Sequence, residues 1–269
     1  ILQETPEHAR VIALETPFLW EHELTALREV VGFPSHTIDT TWPANQGAEG
    51  LERALDRICA EAEKCVDAGV QILILSDRHV DHVSVPVPML LATGAVHHRL
   101  GQKRKRMRVS IVVDSGEARD VHQMACLFGF GAQAICPYLG YETIRELVEK
   151  NDKSTVGVDI LEALKNYRSA LEKGVLKIMS KMGIGVLSSY IGAQIFEAVG
   201  IGPEVMAKCF KGSPSQVGGI GFVEIAEESL VRHAAAYAQA VPESPLDLGD
   251  PGYYRFRQKG EQHAINPSF

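Results

Sequence analysis

The residues of this 269-residue chain best suited to chemistry are two charged clusters, Asp77-Arg78 and Asp114-Ser115-Gly116-Glu117. Each follows an apolar run that reads as a buried strand, and active sites of parallel α/β folds form at that edge, where loops and helix N-termini converge. Carboxylates so placed suit general acid–base work. Neither cluster shows a nucleophile beside a base, however, and capping plus Arg–carboxylate bridging accounts for every one of these residues. Ser115 is positioned to cap a helix beginning near Ala118, with Asp114 and Glu117 at its positive end. No catalytic residue is expected.

His97-His98 invites a metal, but adjacent residues point to different sides of a helix, and chelation wants i, i+4 spacing. Hydrogen-bonded structural histidines are expected, with His122 near them only through tertiary folding, and no metal site. Gly183-Ile184-Gly185 and Gly218-Gly219-Ile220-Gly221 are glycine turns of the kind that cradle phosphate. Neither matches a dinucleotide fingerprint or a P-loop, and loop geometry is reason enough for both. The basic run Lys103-Arg104-Lys105-Arg106 with Arg108 reads as a solvated loop.

Composition narrows the field. Hydrophobic residues make up 45% and charged residues 23%, enough for a sizeable core. The net charge of −7 and the lack of aromatics among the basic residues argue against nucleic-acid or membrane-surface binding. Five cysteines (Cys59, Cys65, Cys126, Cys136 and Cys209) without a CxxC spacing read as free thiols of a reducing compartment. No apolar run reaches the ~20 residues of a membrane span. Ile1 stands where an initiator methionine would, which reads as a processed chain or a segment of a longer one.

The elements that must position these residues alternate. Leu51, Leu55, Ile58, Ala62 and Val66 recur at helical spacing over 50–68, and the apolar run 70–75 follows as a buried parallel strand. Residues 88–99 predict a helix, 109–113 a strand and 118–128 a helix, which Gly129 and Gly131 break before the stretch Ala134-Ile135-Cys136-Pro137. A shorter extended piece is expected over 36–41. Helix, strand, polar loop, repeated, predicts an α/β protein with a mainly parallel sheet and flanking helices. Beyond Tyr141 the pattern predicts helices over 143–151 and 160–178, a strand-like piece over 182–188, a short helix over 193–199 closed by Gly200, and a helix over 223–240. The tail from Pro242 reads as surface or linker.

Several of these stretches resemble one family. Ile74-Leu75-Ser76-Asp77-Arg78, Leu91-Ala92-Thr93-Gly94-Ala95-Val96-His97-His98 and Asp114-Ser115-Gly116-Glu117-Ala118-Arg119 are similar to the central domain of the glutamate synthase large subunit. So are Cys136-Pro137-Tyr138-Leu139, Lys177-Ile178-Met179-Ser180-Lys181-Met182-Gly183-Ile184 and Gly192-Ala193-Gln194-Ile195-Phe196-Glu197-Ala198. Tyr254-Arg255, Gly260-Glu261-Gln262-His263 and Asn266-Pro267 resemble the junction leading to the family's flavin domain. The chain departs from the family's pattern at Gly185, at 212–216 and at Gln123, which stands where the family has a second adjacent histidine.

The resemblance implies a reduced relative of a (β/α)8 FMN-type barrel that joins an amidotransferase domain to an FMN and iron–sulfur domain and helps form the ammonia channel between them. It implies an α/β part over 1–140, a remainder over 141–241 and a link toward the flavin domain over 242–269. No cofactor is expected in this segment; FMN and an iron–sulfur cluster belong to the full-length enzyme, which makes glutamate from glutamine and 2-oxoglutarate. The expected partners are the two flanking domains, and the expected compartment is the cytoplasm, or the plastid of a photosynthetic eukaryote. Thr40 and Thr41, by family position, are expected to line the passage. The alternative is a stand-alone barrel-like domain that binds FMN or another phosphate ligand at the glycine turns.

Overall fold

The computed structural model describes residues 9–237 together with Phe256, Gln258, Lys259, Asn266 and Pro267. Two compact units divide the chain, Ile1–His233 and Ala234–Phe269; of the second, residues 234–237 and those five isolated residues are described. The tail predicted as a linker lies outside the described residues apart from those five.

The first unit is built on a four-stranded parallel sheet: β1 (Ser35–Asp39), β3 (Ile72–Ser76), β5 (Ser110–Asp114) and β6 (Ala134–Cys136), side by side in chain order. α2 (Glu49–Asp67), α3 (Met89–Gln102) and α4 (Val121–Gly129) lie one in each connection. The expected α/β class with a mainly parallel sheet is what is found. Strand periodicity explains why the runs are apolar throughout, because alternate residues feed two cores. Leu73, Leu75, Ile111, Val113 and Ile135 enter the larger core, while Ile72, Ile74, Val112, Ala134 and Cys136 enter a smaller one. The smaller core is covered by Leu24 and Leu27 of α1 (Glu21–Arg28). Against the larger face packs α2, whose buried residues include all five that carried its periodicity.

The segment 17–19 is stitched to the last strand of the sheet. Phe18 bridges Ile135 in parallel, Leu19 N–H donates to the Ile135 carbonyl at 2.8 Å, and Ile135 N–H to that of Pro17 at 2.8 Å. A short antiparallel pair, β2 (Thr41–Pro43) with β4 (Ser84–Pro86), sits beyond the carboxyl ends of β1 and β3.

The remainder comprises α5 (Tyr138–Glu149), α6 (Ile160–Lys181), α7 (Leu187–Tyr190), β7 (Ala198–Ile201), α8 (Pro203–Cys209), β8 (Ser215–Ile220) and α9 (Phe222–Tyr237). The larger core draws on this part too, through Leu171, Val175, Met179 and Val205. Gly94 lets α3 and α8 touch: a Cβ there would lie 2.2 Å from the Cys209 carbonyl oxygen.

Three expectations fail here. The piece over 182–188 is not a strand but the winding-off of α6: Met182 N–H returns to the Ile178 and Met179 carbonyls, and Met182 and Val186 are exposed. The predicted helix over 193–199 is instead the approach to β7, because Phe196 turns inward to stack on Phe130 at 5.5 Å and Ala198 N–H pairs with the Pro214 carbonyl. Gly218, Gly219 and Ile220 form no turn; they are part of β8, and a Cβ on Gly219 would meet the Gly200 carbonyl oxygen of β7 at 2.1 Å.

Candidate functional site

The carboxyl ends of the sheet bring both charged clusters together. Asp77 is buried and saturated with donors: Gly116 N–H reaches its two oxygens at 2.9 and 3.1 Å, Ser115 Oγ donates at 3.0 Å and the Tyr138 hydroxyl at 2.8 Å. Burial nonetheless raises its pKa, outweighing those hydrogen bonds. Asp114, fully buried, accepts from Arg78 Nε at 2.8 Å, Ser76 Oγ at 3.0 Å and Arg28 Nη2 at 3.4 Å. Arg78 also reaches Glu21 at 2.8 Å and lies 4.0 Å over the Tyr138 ring. Burial and the neighbouring Asp77 push the Tyr138 phenol well above its ordinary range. These groups are locked to one another, the Ser115 and Ser76 hydroxyls each spent on a carboxylate. The network fixes the strand ends.

Ser115 does not cap the following helix. Its hydroxyl is spent on Asp77 and on the Glu117 N–H, and α4 starts later, at Val121, where Asp120 accepts from Gln123 N–H at 2.9 Å. The Gln123 side chain returns to the Asp120 N–H at 3.2 Å, so the residue that departs from the family pattern completes a capping box. Glu117 serves a different helix. Its Oε2 accepts from Met89 N–H at 2.7 Å, filling the first turn of α3, where Pro88 offers no capping side chain.

Of the histidine pair, His97 is hydrogen-bonded, whereas the buried His98 Nε2 has no hydrogen-bond partner among the described residues. His97 Nδ1 accepts from Arg106 Nε at 3.0 Å, which leaves the ring proton on Nε2; burial first, then Arg106 and His98, lower its pKa to about 4. Arg106 is therefore no solvated loop residue: its other nitrogens donate to the Val109 and Gly131 carbonyls at 2.6 and 2.8 Å. Lys105 bridges Glu63 and Asp67 at 3.0 and 2.7 Å. His122 lies 3.6 Å from Cys126 Sγ rather than beside the pair. Among the described residues no group of three or more His, Cys, Asp or Glu is placed to hold a metal, and all five cysteines are free thiols.

Neither glycine segment is free to cradle a phosphate as a nest: the Gly183 and Ile184 N–H groups return to the Ser180 and Met179 carbonyls at 3.2 and 2.9 Å. Gly218 and Gly219 are in a strand, and the Gly221 N–H before α9 is already bound by Glu224 Oε2 at 2.8 Å.

Thr40 and Thr41 both sit just beyond β1 and are buried. Thr40 Oγ1 donates to the Ser76 carbonyl at 2.9 Å, tying it to the end of β3. Thr41 opens on a cavity of about 780 Å³ whose wall includes Asp39, Gln46, Arg53, Arg57 and Ser84. A second cavity, about 450 Å³, lies among α3, α4, α9 and β7 and is walled by Met89, Phe130, Phe196, Phe210 and Ile225, with Glu117 as a carboxylate on its wall. Sequence reasoning missed it because its wall comes from segments far apart in the chain; Glu117 following a strand was the one legible sign.

The family model described as the glutamate synthase central domain matches residues 1–202. Over 271 residues the chain is 40% identical to the NADH glutamate synthase of Schizosaccharomyces pombe, covering 99% of this chain and 13% of that protein. The NADPH glutamate synthase large chain of Bacillus subtilis is 41% identical over 269 residues, 99% of this chain and 17% of that protein. A chloroplastic ferredoxin-dependent glutamate synthase of Spinacia oleracea is 41% identical over 277 residues, again 99% of this chain and 17% of that protein. The chain belongs to the glutamate synthase central domain family, and it spans less than a fifth of the length of these relatives. Among solved structures, a mutant flavocytochrome b2 with benzoylformate matches 63% of this chain and 36% of its own at 12% identity; its TM-score of 0.42 is too low to carry an argument. No described helix is long and apolar enough to cross a membrane.

Proposed function

We propose that this chain is the connecting domain of a glutamate synthase, holding an amidotransferase domain and an FMN and iron–sulfur domain in register and walling the ammonia passage between them. The observation that carries this reading is the pairing of family membership with a strand-end network whose acids are bound to their own chain. The catalysis of the whole enzyme, glutamate from glutamine and 2-oxoglutarate, then lies in the flanking domains together with both cofactors. The division into 1–140, 141–241 and a link over 242–269 belongs to this reading. So does the cytoplasm, or the plastid of a photosynthetic eukaryote, as compartment. Strand order following chain order, with a helix in each connection, supports the likeness to a reduced (β/α)8 barrel.

Within that role Thr41 is the better passage residue of the two threonines, because it borders the 780 Å³ cavity, whereas the hydroxyl proton of Thr40 is committed to Ser76. An enclosed route matters because ammonia released to water is protonated and diluted. Thr41→Met in the full-length enzyme is expected to lower glutamine-dependent turnover while sparing turnover with added ammonia. Equal loss of both activities would remove Thr41 from the passage.

A further inference from the structure

The 450 Å³ cavity is in the size range of small-ligand pockets and has their composition, an apolar wall with few polar groups. Its wall carries two carboxylates, Glu117 and Glu197, against one arginine, Arg232, with His122 beside them. Glu117 Oε2 is held by Met89 N–H, and no hydrogen bond engages Oε1 among the described residues. Arg232, itself on the cavity wall, and Arg119 bear on Glu117, but among the described residues neither forms a salt bridge with it, and Arg232 lies 3.6 Å from Glu228 instead. The carboxylate therefore offers one fixed oxygen and one open oxygen to the cavity, surrounded by Met89, Phe130, Phe196, Phe210 and Ile225.

We propose that this cavity is a binding site for a small molecule with an apolar, ring-sized body and a protonated amine, the amine donating to Glu117 Oε1 and the body resting on Phe130, Phe196 and Phe210. The match is chemical on both counts. A carboxylate with one oxygen uncommitted gains a charge-assisted hydrogen bond from a protonated amine, and the aromatic wall gains from excluding water around an apolar group. An anion of the same shape would face Glu117 and Glu197 with like charge, while Arg232 on the wall lies 3.6 Å from Glu228, so the amine is favoured over it. The site is separate from the hydrogen-bonded network around Asp77 and Asp114, and the inference stands whether or not the connecting role holds.

The probe is 3-phenylpropylamine, with 3-phenylpropionate as its anionic counterpart, titrated calorimetrically into the 269-residue chain. One saturable site for the amine is expected, with the carboxylate binding at least about tenfold more weakly. Cys126, a free thiol on the cavity wall, supplies an independent reading: the amine should slow its reaction with N-ethylmaleimide while leaving Cys65, which is not on that wall, unchanged. Glu117→Gln should weaken amine binding by about tenfold or more. Should that variant fold poorly, Ser213→Trp, which fills the cavity and keeps Glu117, should abolish binding. Absence of saturable amine binding, equal binding of amine and carboxylate, unprotected Cys126, or binding that survives Ser213→Trp would each overturn the proposal.

Discussion

The molecule holds two parallel sheets that differ in almost everything but hydrogen-bond direction. The four-stranded sheet is covered on both faces, with β3 buried along its whole length. The β7–β8 ribbon has a broken register, exposes Val199 and Val217, and buries no residue of β8. Parallel pairing is ordinarily a buried arrangement. The contrast teaches that in the first sheet side-chain burial supports the pairing, whereas in the second it is held by close backbone approach at glycine and by the helix between its strands.

The sharpest break between the two regions should come from truncating one side chain in each. Leu75→Ala in β3 removes a fully buried side chain and should cost about 3 kcal/mol in urea unfolding. Gly94→Ala attacks the joint, since α3 belongs to the sheet and α8 to the ribbon. The forced contact with the Cys209 carbonyl should cost about 2 kcal/mol and shift the thermal midpoint down. Loss of less than about 0.5 kcal/mol would show that the helices part freely.

Smaller at neutral pH is His97→Asn, about 1 kcal/mol for an altered acceptor to Arg106. Its signature is in acid. The folded pKa of about 4 lies below the ordinary 6.5, so the unfolded chain takes up the proton first, and the stability tied to neutral His97 is lost as pH falls from about 6.5 to about 4. The variant should show a shallower loss over that interval in denaturation midpoints; an unchanged slope would assign the acid sensitivity elsewhere. Least of all, Val217→Ala in the ribbon should stay within about 0.5 kcal/mol. A cost near that of Leu75→Ala would mean that the ribbon face is covered.

What was legible follows the same divide. The helix over 50–68 and the strand over 70–75 could be read because a one-sided or two-sided core imposes a periodicity on the sequence. In the ribbon no core imposes one, so Gly218-Gly219-Ile220-Gly221 reads as a turn, and the apolar residues over 182–188 read as a strand although they only unwind a helix. α8 was missed despite a fair local signal, Pro203 at its first position with Glu204 after it. At the strand ends the residues were legible but their partners were not. Ser115 looks like a local cap, and only the register of β3 against β5 brings Asp77 within reach to claim its hydroxyl. The cavity around Glu117 left no trace in the sequence beyond that single acid.

The bridge from Phe18 to Ile135 bears on how the chain reaches this structure. Phe18 pairs with the last strand of the sheet, almost half the chain away. During synthesis the segment around Phe18 leaves the ribosome long before its partner exists, so Phe18 and Leu19 must wait as exposed apolar residues until β6 is made. Closing a loop of that size before any contact rewards it slows the final step, and the smaller core, which needs Leu19 beside Ala134 and Cys136, is expected to be the last part to become protected against amide hydrogen exchange during refolding.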